Sequence, residues 1–310
     1  MILDMAPKRM SLALVIPILA ASTVIVVSTP THAASCTVTK GANCSGTTMN
    51  WKVKSHGNLA KANFKGAKLK GADFRNANLK KANFQRANLE SANFSNANLT
   101  KANFKKANIK FANFTGATMT KVQLAKAKAG NANLSGVTLT KANLRNASFI
   151  NANLYGADLT GANISGSNQF PPPPPFGPPV EAKRTSDFTN ANLFGATLSG
   201  ANAKNANFDN AQLNGAFAFG TNFQQAYFYG ATLNGALLDG ADLSNVFALG
   251  SNLVGAGMRG ANLSGADVRY ATLIGTFLLD ANISGILDTG ATWVNVTCPG
   301  GNVRSSSCLV

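Results

Sequence analysis

Lysine is the residue whose spacing invites chemistry. Lys61, Lys81, Lys101, Lys121 and Lys141 recur at intervals of 20 residues, Arg86, Lys106 and Lys126 repeat that interval, and Lys65, Lys105 and Arg145 lie close to them in sequence. Rows of ammonium and guanidinium groups attract anions; they do not catalyse by themselves. The groups that catalysis needs are scarce. The two histidines are His32 and His56, and no nucleophile–base pair, phosphate loop or metal-ligand cluster is legible. The sequence therefore reads as a non-enzyme with no catalytic residues, no metal and no cofactor. Its four cysteines are Cys36, Cys44, Cys298 and Cys308. The absence of histidine beside either pair argues against zinc, and an even number leaves three disulfide pairings open.

Charge is distributed as unevenly as the lysines suggest. From Lys40 to Arg145 there are 20 basic residues against two acids, whereas from Asn146 to Val310 there are 6 against 9. A cationic half beside a near-neutral half points to an anionic polymer or an anionic surface as partner. The start of the chain reads as an export signal: Lys8 and Arg9 precede an apolar run, and small residues at Thr31 and Ala33 set a cleavage site. Residues 1–33 are expected to be a signal peptide, which places the chain in a periplasm, at a cell surface, in a lumen or outside the cell. That compartment favours disulfides.

Between the cysteine pairs the sequence has a period of five. From Leu59 to Ile164 every fifth residue is Leu, Phe, Ile or Met, with Ala129 the exception, and two places before each, after the Gly57 that precedes Leu59, stands Ala or, at Val122 and Val137, Val. Neither of these two positions carries a charge, so both are expected to face inward and the other three outward. Five matches neither a helix nor an alternating strand. Units such as "ANFKK", "ADFRN", "ANLYG" and "ADLSN" resemble the pentapeptide repeat family, over residues 59–164 and again over 188–293. The resemblance implies an all-β fold: a right-handed quadrilateral parallel β-helix, with four units per coil and about 11 coils in two blocks, on the order of 50 Å long.

A coil of four units brings residues 20 apart together, and the side chains repeat at that interval. Phe64, Phe84 and Phe104 form one expected internal stack, Phe74, Phe94 and Phe114 another, and Leu193, Leu213, Leu233, Leu253 and Leu273 a column in the second block. The five spaced lysines become one outward column, and the remaining cations named above share its face and the next. Such a rod needs caps at its open ends. Residues 34–58 and 294–310 fill those places, and the separation of the ends implies local disulfides, Cys36 with Cys44 and Cys298 with Cys308. The family also implies an alternative, a DNA-mimicking partner of topoisomerases such as gyrase. The positive charge and the export signal both stand against it.

Between the blocks, residues 165–187 break the register with "QFPPPPPFGPP", a proline-rich loop that reads as a corner insertion, as an arm for an unknown protein partner, or as a hinge. The second block shows apolar residues at outward positions, Phe217, Leu237 and Phe277 in one column and Tyr227 and Phe247 in another. Exposed apolar columns point to self-association as a homodimer. Ala203, Ala218 and Ala248 underfill the central position and Asp288 charges it, so looser coils and an end to the regular helix near Asp288 are expected.

Overall fold

The five N–H groups of each unit have five different destinations. In the unit centred on Phe84, the Ala82 N–H closes the turn onto Leu79 O at 2.9 Å, and the Asn83 N–H reaches back to Ala62 O of the preceding coil at 2.9 Å. The Phe84 and Arg86 N–H groups donate forward, to Asn103 O at 2.7 Å and Lys105 O at 3.0 Å. The fifth, from Gln85, has no backbone acceptor and donates to Oδ1 of Asn83 at 3.1 Å. A polar backbone group left unpaired is destabilising, so the unit favours Asn or Asp just before its central residue. Asp73, Asp158 and Asp187 accept from Arg75, Thr160 and Thr189 in the same way. The asparagine rows are therefore structural.

The computed structural model describes residues 39–48, 57–166 and 186–309, all within one unit spanning Ala33–Val310. Parallel bridges join residues 20 apart, as in Asn63↔Asn83↔Asn103 and Asp73↔Asn93↔Asn113, with a bridge at every fifth residue. The result is a parallel β-solenoid. Its corners fall two residues after each central position, where the backbone is left-handed: Gly66 has φ 68°, Lys81 61° and Arg86 60°.

The inward set is as the period requires. Ala62, Phe64, Ala82 and Phe84 are all buried, and so are the central Leu residues. Rings 20 residues apart stack at 4.8–4.9 Å, and the two Phe columns meet edge to face at 5.6–5.9 Å. Ala two places earlier leaves room for these rings, and each coil thereby covers the apolar contents of its neighbour.

The proline-rich segment itself, residues 167–185, lies outside the described residues, as do the expected signal peptide, Cys36 and His56. Its two ends do not. Ser148 bridges Asp187, Asn153 bridges Asn192 and Asn163 bridges Asn202, and Phe149 stacks on Phe188 at 5.1 Å. The second block continues the ladders of the first, which leaves no hinge between them. Ser186 latches the splice: its buried hydroxyl accepts the Asn146 N–H at 2.9 Å and lies 3.0 Å from Ser165 O. Residues 165, 166, 186 and 187 thus belong to coils, and the loop is narrower than the sequence suggested.

The solenoid also runs into both expected caps. Asn43 bridges Asn63 and Thr48 bridges Lys68, with Cys44 buried in the central column before Phe64. At the other end the ladder does not stop near Asp288. Strand β1 (Thr272–Ile274) pairs in parallel with β2 (Thr292–Val294), and β3 (Val296–Thr297) then turns antiparallel to β4 (Val303–Arg304). Backbone pairing, which ignores side-chain type, carries the coil past the charged position. Cys298 bonds Cys308 across this last turn, with Cα atoms 5.5 Å apart. Cys44 is itself disulfide-bonded.

Looser packing does occur in the second block. A wholly apolar void of about 20 Å³ lies among Phe228, Leu243, Val246, Ala248 and Val268. It opens where Ala248 occupies a central position that Phe228 fills in the preceding coil.

Candidate functional site

The column of Lys61, Lys81, Lys101, Lys121 and Lys141 sits on one corner of the solenoid, with φ between 55° and 63°. All five side chains are exposed. Left-handed backbone crowds a Cβ, which favours Gly, and Asn tolerates it because its short polar side chain hydrogen-bonds locally, so these two dominate such corners. The next corner carries Arg86, Lys106 and Lys126, at φ 60–61°, and Lys65, Lys105 and Arg145 are exposed one residue before it. Between the two corners runs one face, whose outward row is Asn63, Asn83, Asn103, Gln123 and Asn143. The structure therefore brings together the cations singled out from the sequence and adds the amide row between them.

No carboxylate pairs with any of these cations among the described residues. The two acids of the basic block are engaged elsewhere: Glu90 with Lys70 at 2.7 Å and Asp73 with Arg75 at 2.7 Å. The Lys70 ammonium, hydrogen-bonded to Glu90, holds that carboxyl below its usual range. Neighbouring ammonium groups one coil apart repel by about 0.8 kcal/mol in water, before salt screening. The strip is uncompensated positive charge, maintained against both repulsion and backbone preference.

The expected self-association surface divides. Phe217 (43% exposed) and Phe277 (55%) stand outward on one face with half-buried Leu237 between them, while Gly257 interrupts the column. Tyr227 is a correction: it is 5% exposed. Its ring stacks on half-buried Phe247 at 4.9 Å, so an outward backbone position still becomes covered when the ring above it lies flat.

That covered position changes the chemistry beside it. The Tyr229 N–H is accepted by Asp209 of the preceding coil, at 3.0 Å, where in other units the residue just before the central position accepts it. Asn214 serves Asn234 and Asp239 serves Arg259 in the same cross-coil way. Burial, with Asp187 nearby, pushes the Asp209 carboxyl up to about 6. Burial and the Asp209 charge push the Tyr227 phenol up to about 12. Sequence reasoning missed both the left-handed corners and this substitution of caps. The alternation of Gly and Asn at the corner position was the available signal.

With this geometry in hand, similarity to known proteins is informative. The model of the family described as pentapeptide repeats matches in 8 copies, over residues 58–96, 82–120, 130–166, 186–225, 221–260 and 261–285. Among solved structures, HetL, a pentapeptide repeat protein involved in heterocyst differentiation regulation from the cyanobacterium Nostoc sp. strain PCC 7120, overlays with a TM-score of 0.59. It is 24% identical over 82% of this chain and 94% of its own. QnrB1, a plasmid-mediated fluoroquinolone resistance protein, has a TM-score of 0.37 at 16% identity over 66% of this chain and 86% of its own. A pentapeptide repeat protein from the Arabidopsis thaliana thylakoid lumen has a TM-score of 0.19 at 34% identity, over 33% of this chain and 67% of its own. No curated protein matches the chain. The overlay with HetL bears on the fold, a right-handed β-helix solenoid.

Proposed function

We propose, for a chain that belongs to the pentapeptide repeat family, an exported, non-enzymatic rod that holds an anionic polymer or anionic surface along its basic block. The rod is four-sided, of about 11 coils, and closed at each end by a local disulfide. Supporting the caps are the Cys298–Cys308 bond and the disulfide-bonded state of Cys44. The neutral block supplies a contact for a second copy through Phe217, Leu237 and Phe277. Tyr227 is left out of that contact because it is covered.

The observation that carries the reading is the placement of unpaired lysines at left-handed corners. Copying of a 20-residue unit explains the interval, but Gly or Asn would suit each corner better, and the neutral block uses them. A straight comb of ammonium groups recognises linear charge density. Changing Lys61, Lys81, Lys101, Lys121 and Lys141 together to Gln is expected to preserve the fold and to raise or leave unchanged its melting temperature. Retention on heparin or teichoic acid falls, and the salt dependence becomes shallower by up to about one log–log unit per lost contact. A second protein, with the same number of lysines moved to the other two faces, keeps net charge constant. Equal binding by that protein and the parent would overturn the reading.

A further inference from the structure

The basic face has a pattern of hydrogen-bonding groups as well as charge. Oδ1 of Asn63 accepts the Lys65 N–H at 3.2 Å and Nδ2–H of Asn83 at 3.1 Å; Oδ1 of Asn83 accepts the Gln85 N–H at 3.1 Å and Nδ2–H of Asn103 at 3.2 Å. An amide oxygen has two lone pairs and an amide nitrogen two hydrogens. At Asn63 and Asn83 both lone pairs are therefore used, and one hydrogen of each Nδ2. What these half-buried side chains still present outward is an N–H per coil, repeating with the 4.8–4.9 Å of the ring stacks beneath. At Asn63 and Asn83 the row donates and does not accept, whereas the oxygens of Asn103, Gln123 and Asn143 each take a single hydrogen bond and keep one lone pair.

Lys81 and Lys101 border this row on one side, Arg86 and Lys106 on the other. Five residues separate the two borders along the chain, so they lie at most about 17 Å apart. We infer that this face is a track for an acidic polysaccharide lying parallel to the solenoid axis. Its carboxylate or sulfate groups meet the cations at the two edges, and its uncharged hydroxyl, ring and glycosidic oxygens accept from the asparagine N–H groups along the middle. Polyphosphate, charged at every unit, engages the edges and leaves the middle unused. The inference rests on the anionic-polymer reading above and narrows it to one polymer class and one face.

The opposite face supplies the control. Asn93 and Asn113 occupy the same position there and cap Ser95 and Thr115, but the corners beside them carry Ser91, Asn96, Phe111 and Gly116 in place of cations. Replacing Asn83 and Asn103 by Ser, the residue that Ser148 already places in such a ladder, exchanges each outward amide N–H for a shorter hydroxyl that does not reach as far and leaves every charge. Affinity is measured across a salt series for alginate, a linear polyuronate, and for polyphosphate. The expected result is alginate affinity lowered about two- to tenfold at an unchanged salt slope, with polyphosphate affinity unchanged. The pair Asn93→Ser with Asn113→Ser alters neither. Should the serine proteins lose their fold, Asn83→Asp with Asn103→Asp, compared with Asn93→Asp and Asn113→Asp, keeps the caps and removes the same donors; the added negative charge weakens both polymers, so in that arm the ratio of alginate to polyphosphate affinity is the readout. Equal alginate affinity in the two matched serine pairs, or an equal ratio in the aspartate pairs, overturns the track while leaving the charge reading standing. A parent protein that binds neither polymer overturns both.

Discussion

The basic and neutral blocks share one backbone and differ mainly at its corners. In the basic block, Lys61, Lys81, Arg86, Lys101, Lys106, Lys121, Lys126 and Lys141 hold left-handed corners; the neutral block fills most of the same positions with Gly, as at Gly200, Gly220, Gly240 and Gly260. Around those four glycines nothing lies within 4 Å of where a Cβ would stand, so space does not dictate the choice. A residue with a Cβ costs roughly 1–2 kcal/mol in this conformation, and the basic block accepts that cost repeatedly. The comparison separates two demands on one position. The fold asks only for a residue that tolerates positive φ, and the surface decides whether charge is added. The interiors differ too, with stacked rings in the basic block and a void beside Ala248 in the neutral one.

The largest expected effect tests the interior side of this comparison. Phe84→Asp places an unpaired charge in the tightest ring stack and is expected to destabilise by several kcal/mol, read as loss of a cooperative thermal transition. Asn83→Asp, one residue away, keeps the oxygen that caps Gln85, gives up only the Nδ2–H bond to Asn63, and is expected to cost no more than about 1 kcal/mol. Comparable damage from both would show that the inward and outward rows are misassigned.

A smaller effect belongs to the neutral block. The folded state holds Asp209 at about 6, above its ordinary 3.8. The contribution of this group is therefore fully favourable below pH ~4 and is lost as pH rises through about 6. Allowing for its partial exposure, the loss is about 2 kcal/mol. Asp209→Asn keeps an acceptor for the Tyr229 N–H, so its stability, measured by urea unfolding between pH 4 and 8, is expected to be flatter than the parent's. Identical profiles would remove Asp209 as the source of the dependence.

The smallest effect goes to the corners themselves. Lys101→Gly relieves φ 60° and one pair of repulsions, and is expected to stabilise by about 0.5–1 kcal/mol while weakening polyanion binding. A destabilised Lys101→Gly protein would mean that the lysine stems pack on the corner and contribute to the fold.

Much of this was legible in the sequence because a solenoid is nearly one-dimensional: each unit touches only its neighbours, and a repeat of five with a longer interval of 20 dictates which residues meet. Phe64, Phe84 and Phe104 could be stacked on paper, and so could the lysine column. The basic face was legible as charge; its asparagine row was legible only as structural or solvated, since the fate of an N–H is not a property of residue type.

The sequence by itself determined the period, the inward pair of each unit and the alignment of charges 20 apart, because those follow from uniform repetition and the exclusion of charge from a core. Tertiary structure decided what depends on contact across coils. The continuous register through Ser186, the cover that Phe247 lays over Tyr227, the cross-coil cap that Asp209 gives the Tyr229 N–H and the left-handed strain under each lysine all arise where one coil's backbone or ring meets the next. No periodicity encodes such meetings, since rings of the same type at equivalent positions can lie flat or stand outward, as Phe247 and Phe277 do.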